Sequence, residues 1–230
     1  MSSVLRGAQR YSCLSQLRGV PDECLYLRKT AHIAMTYQPE YSQMAAVKLF
    51  EEKIGTAVNY YVHYGNSSSI RLASFYARHF VYCNRGVNGI EGTLSTAAGG
   101  SVVTDQKVFC ALGDLSFFYD QNALWNQNLK GNLRILLFNN QQGTIFTMLK
   151  GLEQSESRDR FVSGAHTATA EGICMQNNVQ YLKATNMEEL AQGLDTLINS
   201  ESDNPILLEV LTKAEEDVRI INEYYQKLNI

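Results

Sequence analysis

No stretch of roughly 18 apolar residues occurs, so nothing here reads as a membrane-spanning helix. No run of Lys or Arg is present and the formal net charge is −3, which leaves no case for nucleic-acid binding. The N-terminal stretch MSSVLRGAQRYSCLSQLRGV holds no apolar core of signal-peptide length. There is no CxxC pair. The five cysteines (Cys13, Cys24, Cys83, Cys110, Cys174) are odd in number and widely spaced, so they are expected as reduced, mostly buried thiols of a cytoplasmic protein. His32, His63, His79 and His166 lack ligand spacing and are expected on the surface or as satisfied core residues. Neither an internal repeat nor a low-complexity linker is visible.

What is present is enough for one sizeable domain. The 230 residues are 45% hydrophobic and 19% charged, which predicts a packed core. The chain changes character near residue 40. Residues 1–40 carry five Lys/Arg against three acids, a balance of +2, so the rest must carry −5 to reach the overall −3. No sustained periodicity marks this segment, which suits the tail of a preceding domain or a loose extension. A single domain is expected over 41–230.

From Tyr41 onward, helical patterns alternate with buried strands. Met44, Val47 and Phe50 share helical spacing, as do Ile70, Ala73 and Ala77. Phe80–Tyr82, Val108–Leu112, Leu133–Phe138 and Ile206–Leu211 read as strands buried on both faces. Asn186 can cap a helix, with Glu189 as the other half of a capping box and Met187, Leu190, Leu194, Leu197 and Ile198 as one apolar face. Glu215–Ile230 reads as a terminal amphipathic helix. The predicted fold class is α/β, a parallel sheet with right-handed crossovers flanked by helices. Trp125 and the run Phe117-Phe118-Tyr119 are expected to pack rather than stack on a ligand, and the charges from Glu153 to Arg160 to form a solvated loop.

Parallel sheets gather ligands at the carboxyl ends of their strands. Two such ends stand out, Gly113-Asp114-Leu115-Ser116 and Asn139-Asn140-Gln141-Gln142-Gly143, with Phe117–Asn128 available as the crossover helix. Asp114 and Asn140 lie 26 residues apart yet are placed on neighbouring strand ends. Asp114 offers an anionic oxygen and Asn140 an amide oxygen, and a carbonyl in the following turn can add a third, a donor set that suits Mg²⁺ with phosphate and water. Gly113 lets the backbone approach a diphosphate, and the N–H groups of Leu115 and Ser116 can cradle it. Taken singly, Asp114 would be a helix cap and Asn139-Asn140 an ordinary turn. Together, each after a buried strand, they resemble the thiamine diphosphate-binding motif.

Several motifs narrow this further: Asn66-Ser67-Ser68-Ser69-Ile70-Arg71, the segment Asn84–Gly99 (NRGVNGIEGTLSTAAG), Gly113–Leu124 (GDLSFFYDQNAL) and Gly143-Thr144-Ile145-Phe146. In that order, across roughly residues 41–212, they resemble the C-terminal domain of the 2-succinyl-5-enolpyruvyl-6-hydroxy-3-cyclohexene-1-carboxylate synthases of menaquinone biosynthesis. The resemblance implies the thiamine diphosphate-binding diphosphate-domain fold. It also implies a transferase that decarboxylates 2-oxoglutarate and adds the succinyl unit to isochorismate. Thiamine diphosphate and Mg²⁺ (or Mn²⁺) would be its cofactors.

By motif position, the resemblance makes Asp114, Asn140 and the carbonyl of Gln142 metal ligands. The family commonly has Gly where Gln142 stands, so a turn demanding φ > 0 there would strain it. Asn88, Gly89, Ile90, Gly113, Leu115, Ser116 and Ile145 would contact the cofactor, with Ile90 the apolar wedge beneath its bent conformer. Without the family, Ile90 reads as a core residue. Ser67, Arg71, Arg85, Ile145 and Phe146 would form the substrate site. The arginines suit carboxylates because a planar guanidinium binds them through two hydrogen bonds, although surface ion pairs are the ordinary reading. Glu91 and Glu171 are weaker candidates for acids. No catalytic residue is expected in these 230 residues, because the family's ring-activating Glu lies on a separate pyrimidine-binding domain. The chain is therefore expected to carry half a site, to be inactive alone, and to self-associate or pair with such a domain. An acetolactate-synthase-like enzyme and a non-catalytic interaction module are the competing readings.

Overall fold

The computed structural model describes residues 30–55, 59–86, 89–146, 151, 155 and 157–228. Five parallel strands form one sheet: β1 (Tyr60–Tyr64), β2 (Lys107–Gly113), β3 (Leu133–Asn139), β4 (Gln180–Ala184) and β5 (Ile206–Leu211). Their order is β1-β2-β3-β5-β4. The parallel register runs Val62 to Phe109, Cys110 to Ile135, Leu136 to Leu208 and Leu182 to Leu208. The helices are α1 (Gln43–Ile54), α2 (Ser68–Tyr76), α3 (Thr93–Val102), α4 (Asp114–Asp120), α5 (Glu171–Gln176), α6 (Met187–Asn199) and α7 (Ala214–Leu228). This is the α/β architecture with a parallel sheet that the alternation predicts.

Strand alternation divides the core in two. Leu136 and Phe138 of β3 face a layer built by α1, α2, α6 and α7, with Phe50, Leu194 and Tyr224 at its centre. Leu133, Ile135 and Leu137 face α3, α4 and α5, with Leu94, Phe117 and Cys174. The sheet is thus covered on both faces, as parallel sheets are. In the leading segment, residues 30–36 are helical, and Ile33, Ala34 and Tyr37 lie against or within this packing. Lys48 Nζ donates to the Tyr37 carbonyl at 2.5 Å.

Several local expectations need correction. Phe80–Tyr82 is not a doubly buried strand. Tyr82 makes a single bridge to His63 along the outer edge of β1, and Phe80 and Tyr82 are exposed. The crossover after β2 begins at Asp114 itself and is short, because α4 gives way to a 3₁₀ turn over Gln121–Trp125. Tyr119 and Trp125 are 66% and 69% exposed, so of the predicted packing aromatics only Phe117 is fully buried and Phe118 partly so. Residues Arg158–Val162 form a π-helical turn, and most of the preceding charged loop lies outside the described residues. The α6 cap forms with a change of partner. Asn186 accepts from the Glu189 N–H at 2.9 Å, but the Glu189 carboxylate reaches back to Thr185, one residue before the cap. Met187 is exposed and drops out of the predicted apolar face. Cys110 and Cys174 are buried free thiols and Cys83 is half-buried, while Cys13 and Cys24 lie outside the described residues.

Candidate cofactor and metal site

β2 and β3 are hydrogen-bonded neighbours, with Gly113 paired to Phe138. Asp114 and Asn140 follow directly at the carboxyl end of the sheet, where ligands gather. Both are buried. Asp114 is the first residue of α4, with Gly113 as an extended N-cap. Its Oδ1 accepts the N–H of Leu115 at 2.7 Å. Its Oδ2 is shut from water and accepts no hydrogen bond. A buried carboxylate oxygen that accepts no hydrogen bond is costly; its neighbour is His166 Nε2 at 3.4 Å, and a divalent cation would satisfy it. A Cβ added to Gly113 would meet no atom within 4 Å, so the backbone opens there onto space a diphosphate can fill. These residues fit a metal-bound diphosphate.

The turn after β3 is held from three sides. Asn139 is wholly buried. Its Nδ2 donates to Glu209 Oε1 at 2.7 Å, and its Oδ1 accepts the Gln141 N–H at 3.0 Å. Glu209 is itself fully buried in β5 and also accepts from Tyr181 at 2.6 Å and from the Ala170 N–H at 3.2 Å. Burial and this carboxylate push the Tyr181 phenol up. Asn140 Nδ2 donates to Asp217 Oδ2 at 2.9 Å, with Thr144 Oγ1 at 3.5 Å. Withdrawal from water raises the Asp217 carboxyl, nearby Asp114 adds to this, and donors from Gln43, Thr212 and Asn140 oppose it. The third brace is the segment 163–166. Gly143 N–H donates to the Ser163 carbonyl at 2.7 Å, and His166 N–H to the Gln141 carbonyl at 2.9 Å.

His166 also faces the acid. Its Nδ1 accepts the Ala168 N–H at 3.1 Å, which fixes the ring hydrogen on Nε2. Nε2 stands 3.4 Å from Asp114 Oδ2 and has no other partner. This overturns the expectation of a surface or satisfied histidine. The strain anticipated at Gln142 is likewise displaced. The left-handed residue is Gln141, with φ 67, and the Gln142 carbonyl accepts the Thr144 N–H at 3.1 Å while keeping a second lone pair. The Leu115 N–H, expected in the diphosphate cradle, is engaged by Asp114 here. The Ser116 hydroxyl donates to the Ile90 carbonyl, which ties the α4 start to the half-buried Ile90.

Three of the remaining cofactor and substrate candidates line two separate depressions. Arg71 and Ile145 line one cleft with Thr144, Asp217 and Tyr225. Gly89 lines a cavity of about 400 Å³ with Asn84, Gly86 and Glu91. Arg85, exposed, donates to Asn66 Oδ1 at 3.1 Å, and Asn66 Nδ2 donates to the Gly89 carbonyl at 2.5 Å. Ser67 follows Asn66 with φ 70, an unfavourable conformation of the sort that clusters at functional sites. Phe146 is half-buried against Gly143, where an added Cβ would lie 3.1 Å from its ring. Glu91 and Glu171 are exposed, and Asn88 lies outside the described residues. Reading the sequence missed His166, Glu209 and Asp217. Only Glu209 carried a signal, as a lone acid inside the buried run Ile206–Leu211.

No protein-family model matches the chain. It is 40% identical over 197 residues to the 2-succinyl-5-enolpyruvyl-6-hydroxy-3-cyclohexene-1-carboxylate synthase of Bacteroides thetaiotaomicron, covering 83% of this chain and 35% of that protein. It is 43% identical over 151 residues to the synthase of the same name from Desulfotalea psychrophila, covering 64% and 28%. Among solved structures, benzoylformate decarboxylase from Polynucleobacter necessarius superposes with a TM-score of 0.59 at 16% identity, over 74% of this chain and 33% of that one, a likeness of fold. The curated relatives named here are matched over about a third of their length. By sequence, the chain is similar to a part, about a third, of the 2-succinyl-5-enolpyruvyl-6-hydroxy-3-cyclohexene-1-carboxylate synthases.

Proposed function

We propose that this chain forms the diphosphate- and metal-binding half of a thiamine diphosphate site. The enzyme served would decarboxylate 2-oxoglutarate and add the succinyl unit to isochorismate. The observation that carries the reading is the buried, unpartnered Oδ2 of Asp114, set beside Asn140 on the next strand end. Asp114, Asn140 and the Gln142 carbonyl would hold Mg²⁺ or Mn²⁺. Gly113 and Ser116 would lie along the diphosphate, with Ile90, Gly89 and Asn88 near the aminopyrimidine. Thiamine diphosphate, when bound, supplies the electron-sink chemistry, and the protein supplies binding, orientation and electrostatics.

The chain's own side chains would do the rest by position. Arg71 and Arg85 would bind substrate carboxylates, with Ser67 beside them. Ile145 and Phe146 would form an apolar wall that keeps water from the reacting carbon. His166, with Nε2 3.4 Å from Asp114 Oδ2, would stand beside the carboxylate and limit its orientation without occupying the oxygen left for the cation. Acid–base activation of the cofactor ring is expected from a Glu on a second domain, so the purified chain alone should show no turnover. The test is reconstitution with a separately made pyrimidine-binding domain. Consumption of 2-oxoglutarate together with isochorismate is the expected result. Condensation of pyruvate instead would favour an acetolactate-synthase-like enzyme.

A further inference from the structure

We propose that Asp217, on α7 and far from the strand ends in sequence, is a positioning residue that sets which end of the Asn140 amide faces the metal. The inference rests on the metal reading above. Asp217 is half-buried, and both of its oxygens are occupied. Oδ1 accepts the Gln43 N–H at 2.8 Å, and Oδ2 accepts the Thr212 hydroxyl at 2.7 Å and the Asn140 amide at 2.9 Å. It is therefore not placed to ligate a cation itself. Its three neighbours include a backbone N–H, so the carboxylate is built to accept. The atom of Asn140 that faces it must then be the NH₂ group, because a carbonyl oxygen there would meet another acceptor. Thr144 Oγ1, 3.5 Å from the same nitrogen, is a hydroxyl that can donate or accept and is compatible with that orientation without selecting it. With Nδ2 pinned, Oδ1 is turned away from Asp217 and left to the cation. A neutral amide has no charge to choose its own orientation, so an outer partner must choose it, as outer partners commonly do for metal ligands.

The two acids in the first turn of α7, Glu215 and Glu216, are exposed and complement the helix dipole, and Glu216 also pairs with Arg219 at 2.7 Å on the surface. Asp217 differs by closing a three-way junction of α1, the β5–α7 turn and the β3 turn. Replacing it by Asn puts an NH₂ group where one of these donors now points. If that group faces Asn140, the ligand amide flips and presents NH₂ to the cation. If it faces Gln43, the α1 contact is lost and the fold weakens.

The test is Mn²⁺ binding to the full chain with thiamine diphosphate present, read from the electron paramagnetic resonance of free Mn²⁺, alongside thermal unfolding. Asp217→Asn and Asp217→Ala should weaken Mn²⁺ binding by about 10–100-fold. Thr212→Val removes a donor from the same oxygen without touching Asn140. It should lower the melting temperature yet leave Mn²⁺ affinity within about 3-fold, since only a structural hydrogen bond is lost. Folded Asp217 variants that bind like wild type overturn the inference. So does an equal loss of affinity in Thr212→Val, which would show general loosening. If the Asp217 variants do not fold, the wild-type chain decides by nuclear magnetic resonance. A slowly exchanging Asn140 side-chain amide coupled to the Asp217 carboxylate supports the inference, and a freely exchanging one overturns it. No Mn²⁺ binding by the wild type, despite an intact Asn140–Asp217 bond in its spectrum, would instead defeat the metal reading.

Discussion

At the residue scale, the site depends on buried or half-buried carboxylates that the turn needs. Glu209 fixes Asn139, Asp217 fixes Asn140, and Asp114 is left with an oxygen to spare. Asp114 and Asn140 were legible in the sequence because each follows a buried strand directly. Asp217 and His166 were not. Neither sits in a motif, and each reaches the site only through the packing of a distant element. A fourth acid, Glu51, shows the same economy away from the site. It accepts from the Tyr64 hydroxyl at 2.6 Å and from His79 Nε2 at 2.8 Å, while His79 Nδ1 faces the Phe80 carbonyl at 3.0 Å. Two acceptors around one ring favour the imidazolium. Burial lowers the His79 pKa, but the hydrogen bonds and charge of Glu51 outweigh this and raise it above 6.5. A raised folded value gives stability that is fully present below the unfolded pKa and is lost as pH rises through the folded one. Urea unfolding should therefore find wild type more stable than His79→Gln near pH 6, with the gap closing at alkaline pH. A gap that is flat or widens with pH contradicts this.

Among elements, legibility followed burial. β2, β3 and β5 are central strands, apolar on both faces, and their sequences announce them. β1 and β4 are the outer strands of the sheet. YYVHY and QYLKA carry polar or mixed faces, so neither run stood out. α3 reads TLSTAAGGSV, poor in strong helix formers and with two glycines, and forms because Leu94, Ala97 and Ala98 pack on β2. Asp120 holds its start, accepting the Ser95 N–H at 2.7 Å. α6 was the opposite case, with a cap and an apolar face both visible. Its cap can be tested alone. Asn186→Ala removes the acceptor for the Glu189 N–H and should cost about 1 kcal/mol in urea unfolding. An unchanged midpoint would show that Thr185 and Glu189 hold the helix start without it.

For the whole molecule, Tyr61, Phe80 and Tyr82 form an exposed aromatic group beside β1, with ring centroids 5.8 and 4.8 Å apart. Contiguous apolar surface of this kind drives association, so sedimentation should show self-association that rises with concentration. A strictly monomeric species over a wide range would count against it. Among the described residues, no helix is long and apolar enough to cross a membrane. The ends of β2 and β3 are proposed to hold a metal-bound diphosphate. Calorimetry of thiamine diphosphate binding, with and without Mg²⁺, on wild type and Asp114→Ala tests it most directly. Wild type should bind only with Mg²⁺, and Asp114→Ala should lose that binding while keeping its fold by circular dichroism. Equal affinity in the two proteins would contradict the assignment.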